Sequence, residues 1–354
     1  MQKAYLVLEN GKVYEGTSFG AVGTTMGELV FTTSMVGYND LLTDAAYYGQ
    51  IAVNTFPLVG NYGIVIDDYQ NKKPYLNGYI VREVCDNPSN FNCKCTLEDY
   101  MKMHNLIGIC DIDTRELTKI IRNNGTMNCM ITDSMDNADI EAIKSYKIQN
   151  AVENTSTGTS TVESSGELNV VVYDLGSKNN IEAELAKRGC KVSIVKYDAD
   201  FDNVMKLNPD GIVLSDGPGD PAENTVVIEN IKKLCDKNLP MFGISLGHQI
   251  LALSMGCETY KLKYGHRGAS QPVKSIEKGT VCITSQNHGY AVDSSSLPDG
   301  AVISFVNVND GTCEGIEYTG KKAFSVQFHP VHSGGPHDTN YLFDKFIERC
   351  KEDK

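Results

Sequence analysis

The chain has 354 residues, a net charge of −13 and a pI near 5.0. That balance disfavours nucleic acid or an anionic membrane as the main partner. With 41% hydrophobic and 22% charged residues, it reads as a soluble globular chain long enough for two domains. No stretch approaches the length of a membrane span, and Met1-Gln2-Lys3-Ala4-Tyr5 lacks signal-peptide architecture. Eleven cysteines, an odd number without framework spacing, point to free thiols in a reducing cytoplasm. Cys93-x-Cys95 has no second pair to complete a zinc site, and no Gly-x-x-x-x-Gly-Lys-Ser/Thr loop offers a nucleotide site.

Residues 1–150 carry short β-rich runs at Ala4 to Glu9, Gly27 to Thr33, Ile51 to Thr55 and Leu76 to Val84, divided by turn signals such as Glu9-Asn10-Gly11. Helical spacing marks Leu97 to His104 and Asp113 to Asn123. This half predicts a strand-rich mixed domain. Residues 151–167 are dominated by Ser, Thr, Gly and Glu and predict a linker or an exposed segment at the domain boundary. From residue 168 to 354 the pattern alternates. Strands at Leu168 to Tyr173, Lys191 to Lys196, Ile212 to Ser215 and Met241 to Ile244 are separated by helices at Asn179 to Lys187 and Val226 to Cys235. Such alternation predicts an α/β domain, a doubly wound and mostly parallel sheet. A β-rich tail (Val281 to Thr284, Val302 to Val306, Ala323 to Phe328) closes with a helix from about Asp338 to Cys350.

Chemistry gathers at the strand ends, where such sheets bind ligands. Gly243-Ile244-Ser245-Leu246-Gly247 is a nucleophile-elbow pattern, in which glycines allow a strained turn and helix amides stabilise an oxyanion. The bland reading is a strand-to-helix turn that happens to hold a serine. Asp216-Gly217-Pro218-Gly219-Asp220-Pro221 is a rigid loop whose amides can approach a ligand, or a plain turn. Gln327-Phe328-His329-Pro330 ends a strand in a histidine, a residue more often structural than catalytic when it stands alone.

Read together, Ser215 to Pro221, Gly243 to Gln249, Gln286-Asn287-His288-Gly289 and Gln327 to Pro330 resemble the class I, triad-type glutamine amidotransferases. Thr33-Ser34-Met35-Val36-Gly37-Tyr38, Asn61-Tyr62-Gly63, Asp111-Ile112-Asp113-Thr114-Arg115 and Gly334-Gly335-Pro336-His337-Asp338-Thr339 narrow the likeness to the small subunits of carbamoyl-phosphate synthase. The resemblance implies a cytoplasmic subunit of a ligase in arginine or pyrimidine biosynthesis. It binds L-glutamine and passes ammonia through a tunnel to a large subunit, which makes carbamoyl phosphate from bicarbonate. ATP and its metal are expected on that subunit, with no cofactor and no metal in this chain, and a heterodimer is implied. Matching motifs place Ser34, Gly217, Gly219, Leu246, Gln249, Asn287, Gly289 and Tyr290 around glutamine, with Ser245 and His329 as the catalytic pair and the Leu246 amide in the oxyanion hole.

Two of the three triad positions depart from the family. Ser245 stands where the family has cysteine, and Val331 stands where it has the glutamate that orients the histidine. A serine hydroxyl needs a base to remove its proton, and valine accepts no hydrogen bond from that base. The expectation is glutamine binding with very weak hydrolysis, and support of synthesis from free ammonia. The alternatives are a Ser-dependent hydrolase, for which no Asp or Glu between Ser245 and His329 stands out, and a non-catalytic scaffolding subunit. His248, His266, His288, His332 and His337 match no metal-ligand spacing.

Overall fold

The first hairpin shows how the N-terminal unit starts. β1 (Lys3–Leu8) turns at Gly11, whose φ of 85° suits glycine, and returns as β2 (Val13–Gly20). The computed structural model describes residues 2–65, 73–162, 166–177, 179–331 and 335–352, divided into two units, Met1–Gln149 and Asn150–Lys354. In the first unit follow β3 (Thr25–Thr32), β4 (Gln50–Asn54), β5 (Leu58–Val59), β6 (Gly78–Ile80), β7 (Glu83–Val84), β8 (Ile107–Cys110) and β9 (Met127–Thr132). Seven of them close a barrel in the order β1-β2-β8-β6-β4-β3-β9. The run Leu76 to Val84, expected as one strand, divides: β6 stays in the barrel and β7 pairs with β5 outside it.

The helices of this unit are α1 (Tyr38–Thr43), α2 (Leu97–Met103), α3 (Thr114–Asn124) and α4 (Ile140–Ser145). Thr96 caps α2 by accepting from the Asp99 amide, and Asp113 caps α3 by accepting from the Glu116 amide. The two motifs at residues 33–38 and 61–63 meet in space. Tyr38 stacks on Tyr62 at 4.2 Å, its hydroxyl donates to the Gly63 carbonyl, and the Tyr62 hydroxyl accepts from the Gly37 amide.

The second unit opens with α5 (Ala151–Thr155) and β10 (Ser160–Val162). The segment expected as a linker or exposed stretch thus carries regular structure at 151–155 and 160–162. Ala151, Val152 and Thr155 are buried, β10 pairs with a sheet strand, and the Thr157 amide and hydroxyl both donate to buried Asp174. Glu153, Asn154, Thr157, Thr159 and Ser160 remain exposed. Then come β11 (Leu168–Asp174), α6 (Asn179–Lys187), β12 (Cys190–Lys196), α7 (Phe201–Met205), β13 (Gly211–Leu214), α8 (Thr225–Cys235), β14 (Met241–Ile244) and α9 (Leu246–Ser254). β15 (Thr259–Ser275), β16 (Val281–Val292), β17 (Ala301–Asn307), β18 (Cys313–Tyr318), β19 (Ala323–Val326) and α10 (Tyr341–Lys351) complete it.

The ten-stranded sheet runs β10-β12-β11-β13-β14-β19-β18-β17-β15-β16. β12, β11, β13, β14 and β19 are mutually parallel, and the ladder turns antiparallel from β18 onward. Alternation along β11 sends Val171 and Tyr173 to the face covered by α8 and α9, and Val170 and Val172 to the face covered by α6 and α10. Helices on both faces make it the doubly wound α/β fold expected. No helix among the described residues is long and apolar enough to cross a membrane. All eleven cysteines are free thiols.

Candidate active site

Every residue of β14 is buried, and the chain leaves it at Ser245 with φ 52° and ψ −108°. That conformation strains any residue with a side chain. The flanking glycines make it possible. A Cβ on Gly243 would lie 2.7 Å from the Gly247 carbonyl oxygen, and one on Gly247 would collide with the Leu214 carbonyl. The Gly247 amide instead donates to the Ser215 carbonyl at 3.0 Å, tying the elbow to the end of β13. Ser245 begins α9 without capping it through its side chain, so its hydroxyl is not spent on the helix.

The loop after β13 lies against the elbow. A Cβ on Gly217 would lie 2.9 Å from the Leu246 side chain, and Gly219 sits at φ 86°. β19 flanks β14 on the other side: Ile244 pairs with Val326, whose carbonyl accepts from the Ser245 amide at 2.8 Å. Three residues on, His329 bridges Ser285, its amide donating to the Ser285 carbonyl at 2.9 Å. Asp216, Ser245 and His329 therefore leave the carboxyl ends of three adjacent parallel strands. Their side chains are 1%, 1% and 3% exposed.

The His329 Nδ1 lies 3.6 Å from the Asp216 Oδ2. Both residues line a small cavity with Ile244, Val331 and Phe343. Val331 packs on the apolar cluster of α10 and offers the imidazole no acceptor. Sequence reasoning read the 216–221 loop for its backbone and missed the Asp216 carboxylate. The loop holds two aspartates, and Asp220 is spent accepting from the Ala222 amide at 2.9 Å.

The remaining expected residues fall into two places. Gln249, on the first turn of α9, donates to the Tyr290 carbonyl at 2.7 Å and to Gln327 Oε1 at 2.9 Å, which joins α9, β16 and the end of β19. Asn287, Gly289 and Tyr290 follow one another along β16. Ser34 belongs to the first unit, in the loop after β3, where its amide donates to Thr32 Oγ1 at 3.3 Å. His332 and Gly334 lie outside the described residues.

Three histidines beside this region, His248, His266 and His288, have protein partners. His248 is fully buried on α9, with Nδ1 2.8 Å from Ser325 Oγ, and burial pushes its pKa down to about 3. His266 and His288 come together with Glu314, their ligating atoms within 4.8 Å of one another, a grouping that no sequence spacing announced. Each already has protein partners. His266 Nε2 is 2.8 Å from Asp310 and His288 Nδ1 is 2.8 Å from the Tyr290 carbonyl. Glu314, wholly buried, accepts from Gln286 at 2.9 Å and Asn307 at 3.3 Å. Against the burial that would lower it, Asp310 and Glu314 raise His266 to about 9. Burial drives Glu314 upward while His266 draws it down, so Asp310, held low at about 2, is the firmer anionic partner.

Comparison with known proteins agrees with this arrangement. Residues 171–349 match the family "Glutamine amidotransferase class-I", and residues 6–131 match "Carbamoyl-phosphate synthase small chain, CPSase domain". A carbamoyl phosphate synthase small chain from Clostridium perfringens is 47% identical over 98% of this chain and 99% of its own length. One from Staphylococcus epidermidis is 44% identical over 100% of this chain and 98% of its own. A pyrimidine-specific small chain from Lactiplantibacillus plantarum is 45% identical over 98% and 95%. With both domains matched and this identity sustained from end to end, the chain belongs to the carbamoyl phosphate synthase small chain family.

Proposed function

We propose that this chain binds L-glutamine at the elbow, delivers ammonia to a carbamoyl phosphate synthase large subunit, and hydrolyses glutamine only weakly. The observation that carries it is the strained Ser245 on β14 beside the strand that delivers His329, with Val331 where the family's acid belongs. Gly217, Gly219, Leu246, Gln249, Asn287, Gly289 and Tyr290 hold the substrate in this reading, and Ser34 enters it on the resemblance alone.

In the reaction, the Ser245 oxygen attacks the side-chain amide carbon while His329 takes the hydroxyl proton. The Leu246 amide stabilises the oxyanion, and the C–N bond breaks as His329 returns the proton to departing ammonia. Water, deprotonated by the same imidazole, then cleaves the γ-glutamyl ester to give glutamate. Serine enters poorly because its hydroxyl is almost wholly un-ionised at neutral pH, whereas a cysteine there is appreciably thiolate. The large subunit supplies the ATP chemistry, and free ammonia substitutes for glutamine when hydrolysis is slow.

The test is a glutaminase assay of the assembled complex together with calorimetric titration of L-glutamine. The expected result is saturable binding, turnover several orders of magnitude below an ordinary rate of about 10 per second, and ammonia-dependent carbamoyl phosphate synthesis. Ordinary turnover, or no glutamine binding, defeats the reading.

A further inference from the structure

We propose that Asp216 is the positioning residue for His329, supplying from the neighbouring strand end the carboxylate that Val331 no longer offers. The inference rests on the glutamine-binding reading of the site and deepens it. The supporting geometry is specific. Nδ1 of His329 is the ring nitrogen that faces Asp216, at 3.6 Å, with the carboxylate 1% and the imidazole 3% exposed. In a Ser–His–Asp arrangement the carboxylate holds Nδ1–H, so that Nε2 is the nitrogen left to take the serine proton. A separation of 3.6 Å in the unliganded site is of the kind that shortens once substrate is bound.

Of the described residues lining the cavity at His329, Asp216 is the one other ionisable side chain, the rest including Ile181, Ile244, Val331 and Phe343. The elements packed there do carry other acids, which are placed otherwise. Glu182 follows Ile181 on α6, and burial pushes its carboxyl up to about 7; Asp344 on α10 pairs with Arg188 at 2.7 Å. Ser215 holds the Asp216 backbone in place: its hydroxyl donates to the Asp216 carbonyl at 2.8 Å and accepts from the Leu175 amide at 3.0 Å. The residues that hydrolyse glutamine are then Ser245 and His329, and Asp216 acts through His329 by fixing its tautomer and stabilising the imidazolium formed when Ser245 loses its proton. The proton moves from Oγ to Nε2, and none passes to the carboxylate.

The experiment has two arms. In the full chain labelled with 15N-histidine, with the His329 resonance assigned by its loss in His329→Gln, Asp216→Asn lowers the His329 pKa by about one unit or more. An unmoved titration overturns the proposal. In the assembled complex carrying Ser245→Cys, where turnover is readily measured, Asp216→Asn lowers kcat by on the order of 10²-fold or more with KM nearly unchanged. Asp216→Asn combined with Val331→Glu recovers most of that loss, as a carboxylate returns from the other side. Should Asp216→Asn unfold the chain, Val331→Glu alone decides. With Asp216 already serving, it raises kcat less than about tenfold; a rise on the order of 10²-fold shows that the imidazole had no carboxylate and overturns the proposal. Absence of glutamine binding in the complex defeats the functional reading, and the His329 titration still reports on Asp216 in that case.

Discussion

The parallel and antiparallel halves of the second unit treat buried polar groups in opposite ways. At the ends of β13, β14 and β19, backbone shape is held by glycines that tolerate no side chain, and buried Ser215, Asp216, Ser245, Gln327 and His329 stand on the segments those glycines shape. Across β15, β16 and β18, buried side chains cross-link one another, with Glu314 meeting Gln286, Asn307, Thr312 and His266. The first arrangement sets a hydroxyl and an imidazole at the carboxyl ends of the strands, where such sheets bind ligands. The second spends its donors and acceptors internally, which rigidifies and specifies the sheet that presents Asn287 and Tyr290. The His–Glu cluster ties its own part of the sheet together, and the glycine-shaped end of the sheet is the one we propose as reactive.

The contrast can be attacked from its largest consequence downward. Ser245→Cys should raise glutamine hydrolysis by the complex by on the order of 10³-fold, because a thiolate attacks where an un-ionised hydroxyl does not and the elbow is already shaped. Ammonia release at saturating glutamine measures it, and an unchanged rate breaks the claim that the parallel end is poised. Glu314→Ala should cost about 3–5 kcal/mol in urea unfolding, since it leaves several buried partners unpaired. A loss under about 1 kcal/mol would make the antiparallel network dispensable. Gly243→Ala should cost about 1–3 kcal/mol and abolish glutamine binding together, as the new methyl meets the Gly247 carbonyl; loss of one without the other would separate shape from stability.

The smallest effect is in pH. His266 titrates near 9 in the fold against an ordinary 6.5, so folding favours its protonated form. Its contribution is complete below pH 6.5 and lost as pH rises through 9. With Asp310 partly exposed, the loss is on the order of 1–2 kcal/mol. Unfolding free energies measured from pH 6 to 9.5 should fall in the parent and stay flatter in His266→Gln.

What the sequence disclosed follows from how far apart the cooperating residues lie. The elbow is five consecutive residues, β11 and β14 carry apolar runs and β12 alternates Val192 and Ile194 with polar residues, so local pattern sufficed. β15 was not singled out, because Gly265, Gly268 and Pro272 interrupt its alternation and its register shifts at two places. β2 hides two glycines in a polar run and becomes a strand only by closing the barrel. The linker reading matched the exposure of Glu153, Asn154, Thr157, Thr159 and Ser160 but missed α5 and β10, since composition cannot see Asp174 accepting from Thr157. Asp216 escaped for a related reason: its meaning depends on His329, which is brought beside it by β14 and β19 rather than by chain proximity.

The backbone at Ser245 has one more implication. A residue with a side chain at φ 52° and ψ −108° keeps conformational tension of about 1–3 kcal/mol that glycine would release. Ser245→Gly should therefore melt higher than the parent while losing all chemistry, and heat resistance and reactivity at this one position pull in opposite directions.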